Sequence, residues 1–372
     1  MKFKIAVLLL VVILSIAVLS GCSFTDRSEQ PAGETVEKNR AGGEIADSQM
    51  SEEEREEKKE EIKEQYADDE IQQPIEEGEN FAGQSPFTGE MLKEIKYKHA
   101  ISVSIENSPA ARPQSGLESA EIVYEFMLEG GITRFLAIFW PEIPEKVGPI
   151  RSARPFLIDV ANSYDSLFLH ADASPDGFKQ LSDSGILHLD QIYQNQYFWR
   201  SSKRLAPHNL YSGKIPLQDF TDKLDRIEYP NRFKFLTASI VSNPQTAEEI
   251  TIDYWGDYSV NYRYDEEANI YYRFLYDFKT PHRVENGRQL SAKNIIVQFT
   301  DTEVKDDEGR LEMDLNKGGK ALLFRDGIVV SGNWQKNDDS WIIYYDKNGS
   351  ELEINPGQTW IQVVPDGTEI KY

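Results

Sequence analysis

"EIVYEFMLEGGITRFLAIF", Glu121 to Phe139, decides how the first half of the chain folds. Its two runs, EIVYEFM and ITRFLAIF, alternate and are rich in aromatic and β-branched residues, with Leu128-Glu129-Gly130-Gly131 between them. Two such runs around a Gly-Gly turn predict a β-hairpin. Just upstream, AISVSIE alternates with Ile101, Val103 and Ile105 on one face, which predicts another strand. Downstream the period lengthens. After Pro155, the residues Phe156, Leu157, Val160, Ala161 and Tyr164 share one helix face. SLFLH, Ser166 to His170, reads as a buried strand that runs into a second helix start at Ser174-Pro175. The pattern is that of a mixed α/β domain over residues 81–235.

Residues 236–372 read differently. YSVNYRY and IYYRFLYDF straddle Asp265-Glu266-Glu267-Ala268-Asn269, and NIIVQFT, GKALLFRDGIVVSGNW, WIIYYDKNGSELEI and TWIQVVP follow at short spacing. Turn signals at Asp326-Gly327, Asn348-Gly349 and Asn355-Pro356-Gly357 separate them, so this domain is expected to be mainly β. The roughly 290 residues from Phe81 on exceed one typical core, which makes two domains the default. The expected fold class is α+β, a mixed α/β N-terminal domain followed by a mainly β C-terminal one.

The start of the chain sets the compartment. Lys2 and Lys4 precede an apolar run, and Leu19-Ser20-Gly21-Cys22 follows it, as in a secretory signal peptide over residues 1–21. Leu-Ser-Gly-Cys resembles the lipobox of bacterial lipoproteins, in which the cysteine carries acyl chains such as palmitate. Cys22 is the only cysteine in the chain. The competing reading is a cleaved signal with an incidental cysteine. If lipidated, Cys22 holds the protein on the extracytoplasmic face of the cell membrane, since stable anchoring takes more than one acyl chain. The formal charge of −23 is unevenly spread. From Asp26 to Glu79 there are 20 acidic and 7 basic residues, a net of −13. Residues 22–80 therefore read as a solvated acidic tether, with too little apolar surface to fold as a core, although Ser51 and Glu54 could cap a short helix within it. As a flexible coil it would span about 40–45 Å. The acidic balance argues against nucleic acid as a partner.

No Walker loop, paired-histidine zinc helix or Gly-x-Ser-x-Gly elbow is present, and no metal site or cofactor is implied. What stands out instead is VGPIRSARP, Val147 to Pro155, which carries Arg151 and Arg154 with no acid between them. Pro155 suits the first helical turn, so Arg151, Ser152 and Arg154 would lie near a helix N-terminus, where unpaired N–H groups favour anions. His170 and Ser174 would sit beyond a strand's carboxyl end, where α/β sheets gather ligands. A third acid-free island, WRSSKRLAPHNLY, supplies Arg200, Lys203, Arg204, His208 and Asn209. If the three converge, they make a cationic pocket. Duller readings stand beside this one: Arg151 and Arg154 pair with Asp159, Glu125 or Glu129, His170 is a hydrogen-bonded core residue, His208 stabilises a turn, and Lys203 and Arg204 are solvated surface. Trp334, Trp341 and Trp360 either pack a β-core or offer faces to a sugar.

Several of these stretches resemble a known family. ARPQSGLESAEIVYEFMLEGGITRFLAIF, VGPIRSARPFLIDVA, LHADASP and APHNLY look like the first domain of the YerB-type lipoproteins, and GKALLFRDGIVVSGNW and INPGQTWIQVVP like the second. The resemblance implies a lipid-anchored envelope protein with two domains of unknown function and brings no catalytic residues with it. It departs at Asp172-Ala173, where the family is usually glycine-rich.

The leading expectation is a non-enzymatic protein that binds an anionic cell-wall polymer, or an acidic part of a partner protein, through Arg151, Ser152, Arg154, His170, Ser174, Arg204, His208 and Asn209. One alternative is a cell-wall-modifying hydrolase or transferase, with His170 or His208 as acid or base and Asp172 or Glu125 as orienter. Another is an envelope scaffold that recruits a second protein.

Overall fold

The computed structural model describes residues 81–94, 98–236, 244–255 and 258–372. The signal segment, Cys22, the acidic tether with its Ser51 cap, and residues 237–243 just after the expected boundary lie outside the described residues.

Strands predominate, and the three α-helices among the described residues all fall before residue 222. The expected hairpin is β2 (Ile122–Met127) and β3 (Thr133–Phe139), antiparallel from Met127↔Thr133 to Ile122↔Ile138. Gly130 and Gly131 turn the chain with φ of +74° and +69°, a region that favours glycine. β1 (Ile101–Glu106) lies antiparallel to β3, and β4 (Leu167–His170) and β5 (His188–Asp190) add in parallel beyond it.

Between β3 and β4 comes α1 (Pro155–Ser163), with Pro155 at its first position and Phe156, Leu157, Ile158, Val160 and Ala161 buried. α2 (Pro175–Ser184) starts as its sequence indicates: the Ser174 hydroxyl accepts the Gly177 N–H at 3.2 Å, and Pro175 follows it. α3 is short, Lys214–Thr221.

After residue 244 the strands include β6 (Gln245–Thr246), β7 (Glu249–Trp255), β8 (Tyr258–Asp265), β9 (Ile270–Leu275), β10 (Ser291–Ala292), β11 (Asn294–Thr300), β12 (Thr302–Val304), β13 (Leu311–Met313), β14 (Gly319–Arg325), β15 (Ile328–Lys336), β16 (Ile342–Asp346), β17 (Thr359–Pro365) and β18 (Ile370–Lys371). Five of them form one sheet, in the order β10-β9-β8-β7-β18.

The other sheet has 11 strands and draws on both halves of the sequence. Its order is β6-β15-β14-β11-β17-β2-β3-β1-β4-β5, with β16 also on β15. β17 pairs in parallel with β2 on one side and β11 on the other. Pro74–Tyr372 forms one compact unit, with a continuous apolar core running through that sheet.

The large sheet is covered on both faces. On one, Phe126 packs on Phe156 of α1 (5.1 Å between ring centroids) and Tyr124 on Tyr164. On the other, the tyrosines of β7 and β8 meet Glu125 of β2. Every residue of β1, β2 and β3 is consequently buried, the polar ones included. Trp334 and Trp360 are buried core residues, so neither presents a face to a sugar.

Candidate functional site

Because successive strand residues point to opposite faces, neighbouring carboxylates are sent to different places. Glu106 of β1 stands opposite Arg134 of β3, and Arg134 opposite Phe126, so all three are on the face toward α1. Glu125 stands opposite Phe135, on the face toward the five-stranded sheet. A buried polar cluster forms on each side.

On the five-stranded-sheet side, Glu125 and Arg273 form a fully buried ion pair at 2.7 Å. Glu125 also accepts hydrogen bonds from Thr133 (2.7 Å), Tyr258 (3.0 Å) and Asn107 (3.2 Å). Arg273 donates to the Tyr262 hydroxyl and, through Nε, to Nδ1 of His282 at 3.0 Å. A guanidinium can only donate, so His282 carries its proton on Nε2, which donates to Oε1 of Gln114 at 3.0 Å. Burial and the adjacent Arg273 hold His282 well below the usual histidine range, so the ring is neutral. Glu125 thus orients neither His170 nor His208. Its partners are those of a sealed structural network.

On the α1 side, VGPIRSARP brings its arginines to the same strands. Arg151 pairs with Glu106, with Nε and Nη2 each 3.1 Å from a carboxylate oxygen. Arg154 caps α1 and pairs with Glu129, one of the partners named in advance. Ser152 contributes its carbonyl, which accepts from Arg134 Nη1 at 2.7 Å and from the Ser104 hydroxyl at 3.2 Å. His208 joins from the third island, its Nδ1 2.9 Å from Glu106. The first and third islands therefore meet at Glu106, a residue the sequence reading did not single out.

Arg134 is the least satisfied member of this cluster. It is 5% exposed and bonds among the described residues only to the Ser152 carbonyl, and its buried Nε, like those of Arg151 and Arg154, has no hydrogen-bond partner there. Burial first, then the charges of Arg154 and Arg151, push its guanidinium down to about 9. Three arginines here share two carboxylates, Glu106 and Glu129. Arg151, Arg154 and His208 remain partly open to solvent, their side chains 26%, 14% and 27% exposed.

The second island adjoins without joining. The Ala171 N–H donates to the Arg151 carbonyl and the Ala153 N–H to the Asp172 carbonyl, so the backbones run side by side. The His170 side chain turns away and is buried, Nδ1 donating to the Asp172 carbonyl (2.9 Å) while Nε2 accepts from Nδ1 of His188 (3.0 Å). Burial holds both histidines below their ordinary range. Asp172 has φ of +66°, in the left-handed region that favours glycine. Its carboxylate accepts the Ala173 N–H.

Arg204 donates to the carbonyls of Ala111 and Pro113, and Asn209 holds Arg200 and the carbonyls of Ser201 and Arg204. Both are engaged in holding their own loop. Arg154 and Ser174 border a cleft of about 840 Å³ between the two long helices and the β12–β13 hairpin. Its walls carry seven carboxylates and four basic side chains, a poor electrostatic match to an anion.

Among the described residues no three His, Cys, Asp or Glu side chains are grouped to hold a metal ion, and no helix is long and apolar enough to cross a membrane.

Comparison with known proteins agrees with this architecture. Residues 87–227 match the family described as protein of unknown function (DUF3048), N-terminal domain, and residues 250–361 its C-terminal domain. Putative lipoprotein YerB of Bacillus subtilis (strain 168) is 34% identical over 294 residues, which span 76% of this chain and 86% of the relative. A crystal structure of the Bacillus subtilis YerB protein aligns with a TM-score of 0.70 at 32% identity, covering 78% of this chain and 99% of that one.

Proposed function

Since the chain belongs to the two-domain DUF3048 family and is similar to Putative lipoprotein YerB, we propose that it is an envelope protein, anchored at the membrane through Cys22, that binds an anionic ligand beside Arg134, Arg151 and His208. The observation that carries this reading is the charge imbalance around Arg134. A buried guanidinium with no bonded carboxylate is costly unless a counter-ion completes it. The partly exposed Arg151, Arg154 and His208 give a phosphate or carboxylate a way to approach, and guanidinium forks suit either group. The ligand class is the phosphate or carboxylate of a cell-wall polymer, or an acidic segment of a partner protein. Within this reading the region of residues 81–235 is the ligand-binding, mixed α/β part of the molecule.

The test uses the compact unit from Pro74 on, titrated with purified anionic wall polymer. Arg151→Gln with Arg154→Gln is expected to weaken binding at least about tenfold, each lost charge-assisted bond being worth about 1.5–3 kcal/mol. Unchanged affinity in a folded double variant overturns the reading. Labelling with palmitate, lost in Cys22→Ser, tests the anchor separately.

One observation favours a second reading, a wall-modifying hydrolase or transferase. Glu106 orients Nδ1 of His208, leaving Nε2 of a partly exposed imidazole without a partner among the described residues. A carboxylate-held histidine of this kind can move protons. Envelope fragments released by the wild type and absent with His208→Asn would establish it. No release from several envelope fractions would leave binding alone.

A further inference from the structure

The stretch that follows β5 differs from the rest of this acidic chain. The 28 residues from Gln191 to Gln218 contain no Asp or Glu and carry Arg200, Lys203, Arg204 and Lys214. Eleven large apolar side chains are exposed among the described residues, and five of them, Ile192, Tyr193, Trp199, Leu205 and Ile215, fall within this one stretch. Leu205 is 86% exposed, and Tyr193 and Ile215 are each 75% exposed. Single exposed apolar residues are ordinary; a cluster of them is not.

These side chains project from a braced unit. Trp199–Arg200 and Leu210–Tyr211 form a short antiparallel ribbon, and the loop between them is closed by the Ser201 N–H donating to the Asn209 carbonyl at 2.8 Å. Asn209 donates to two carbonyls inside the loop, and Arg204 fastens it to the carbonyls of Ala111 and Pro113. Arg200 bridges Asn209 and Gln191, which ties the Ile192–Tyr193 segment to the same ribbon. Ser212, just before α3, bonds to the Tyr197 carbonyl, and Tyr197 packs on Phe220 in the last turn of α3, which fastens the helix that carries Ile215 to the same unit. Leu205 is therefore held outward by a loop whose polar groups are satisfied, so presenting it costs little further ordering. Arg200, Lys203 and Arg204 have no carboxylate ion-paired to them among the described residues.

Exposed Leu, Ile, Tyr and Trp beside Arg and Lys that no carboxylate ion-pairs is the chemistry of a protein surface that rests on anionic lipid. We infer that the region from Ile192 to Ile215 docks on an anionic lipid bilayer. Leu205, Tyr193, Ile192 and Ile215 enter the headgroup boundary, while Arg200 and Lys203 meet lipid phosphates. This surface uses other side chains than the seat proposed at Arg134, which it adjoins through His208. It draws on the anchored reading only for its setting: a domain tethered to a membrane samples it at high local concentration, so a contact weak in isolation becomes occupied.

The unit from Pro74 on lacks Cys22, so any membrane binding it shows is its own. It would be sedimented with vesicles of phosphatidylglycerol and phosphatidylcholine, and with vesicles of phosphatidylcholine alone. Binding to the first and not the second is expected, with loss as salt rises from about 0.05 to 0.5 M. Leu205→Asp and Tyr193→Asp, on exposed side chains that leave the core intact, should each weaken it about tenfold. Lys203→Glu should weaken it at least about fivefold, each basic side chain near an anionic surface being worth about that factor. Arg151→Gln with Arg154→Gln should bind vesicles as the wild type does, whatever those changes do to polymer binding. No binding to the anionic vesicles, or equal binding by the Leu205, Tyr193 and Lys203 variants, overturns the inference. So does a dimer that Leu205→Asp abolishes in a protein that ignores vesicles, because the surface would then be a self-contact.

Discussion

Glu125 and Arg273 lie 148 residues apart in the chain, yet their side chains meet at 2.7 Å with neither reaching solvent. Glu125 comes from the central hairpin of the large sheet and Arg273 from the sheet that covers it, so this pair joins the two halves of the sequence. The side chains that hydrogen-bond the pair are hydroxyls, an amide and an imidazole. The guanidinium also lies 4.7 Å from the centroid of the Trp360 ring.

Removing one partner leaves a charge buried alone. Arg273→Met is expected to destabilise the unit by about 3–5 kcal/mol, and Glu125→Leu by a similar amount. The double variant should lose much less than the sum, because no bare charge remains. Urea unfolding followed by circular dichroism would measure all three. Strict additivity would show that the pair does not act as a unit.

Glu121, at the start of the hairpin, gives a pH signature. Burial pushes its carboxyl up to about 7, against the Ser85 hydroxyl that donates to it at 3.0 Å. The folded state thus holds this proton more tightly than the unfolded chain. The stability it contributes is fully present below the unfolded value near 4.5 and is lost as pH rises through 7. Glu121→Gln should therefore stabilise the protein at pH 8, by on the order of 2 kcal/mol, and change little at pH 4.5. Thermal melts across that range would show the two curves converging at low pH.

His170 and His188 act in the opposite sense over part of the same window. Both are depressed below 6.5 in the folded state, chiefly by burial. Their contribution is complete above 6.5 and is lost as pH falls through their folded values, since the unfolded chain takes up the protons first. In the wild type the gain from Glu121 opposes this loss. In Glu121→Gln it no longer does, so stability should fall more steeply from pH 6.5 to 5. Proton NMR should show both imidazole rings titrating below the ordinary histidine range.

Local signals in the sequence were readable because they act over a few residues. The Gly-Gly hairpin, Pro155 opening α1 and the Ser174 cap were each specified by their neighbours. The union of β2 with β17 was not, because Ile122 and Thr359 are far apart in the chain and nothing in either strand names its partner. The same distance hid the site. Glu106 and Arg134 look like the solvent-facing positions of alternating strands, and only a sheet covered on both faces makes them buried charges. A signal was present in the hairpin register, which sets Arg134 opposite Phe126. It became readable only once β1 was known to lie beside β3. Arg154 was legible through Glu129, whereas Arg151 found a carboxylate on a strand that had been read for its apolar face alone.

Glu106 supplies the sharpest test of the proposed anion seat. It is the internal counter-ion of Arg151, lies opposite Arg134 and bonds to His208, so its carboxylate stands in for the charge a ligand would bring. Glu106→Gln removes that charge while keeping the shape. The variant should lose about 2–4 kcal/mol of stability in dilute buffer, because three guanidiniums then share the single carboxylate of Glu129. Adding inorganic phosphate should restore part of that loss, since a ligand that binds only the folded state stabilises it by RT ln(1 + [L]/Kd). The wild type, whose own carboxylate competes for the arginines, should respond less to the same phosphate. Melting temperatures over a phosphate series, with matched sodium chloride to separate screening from binding, read out the difference. An equal response from the two proteins would mean that Glu106 and the ligand do not compete, and the seat would have to be sought away from Arg151.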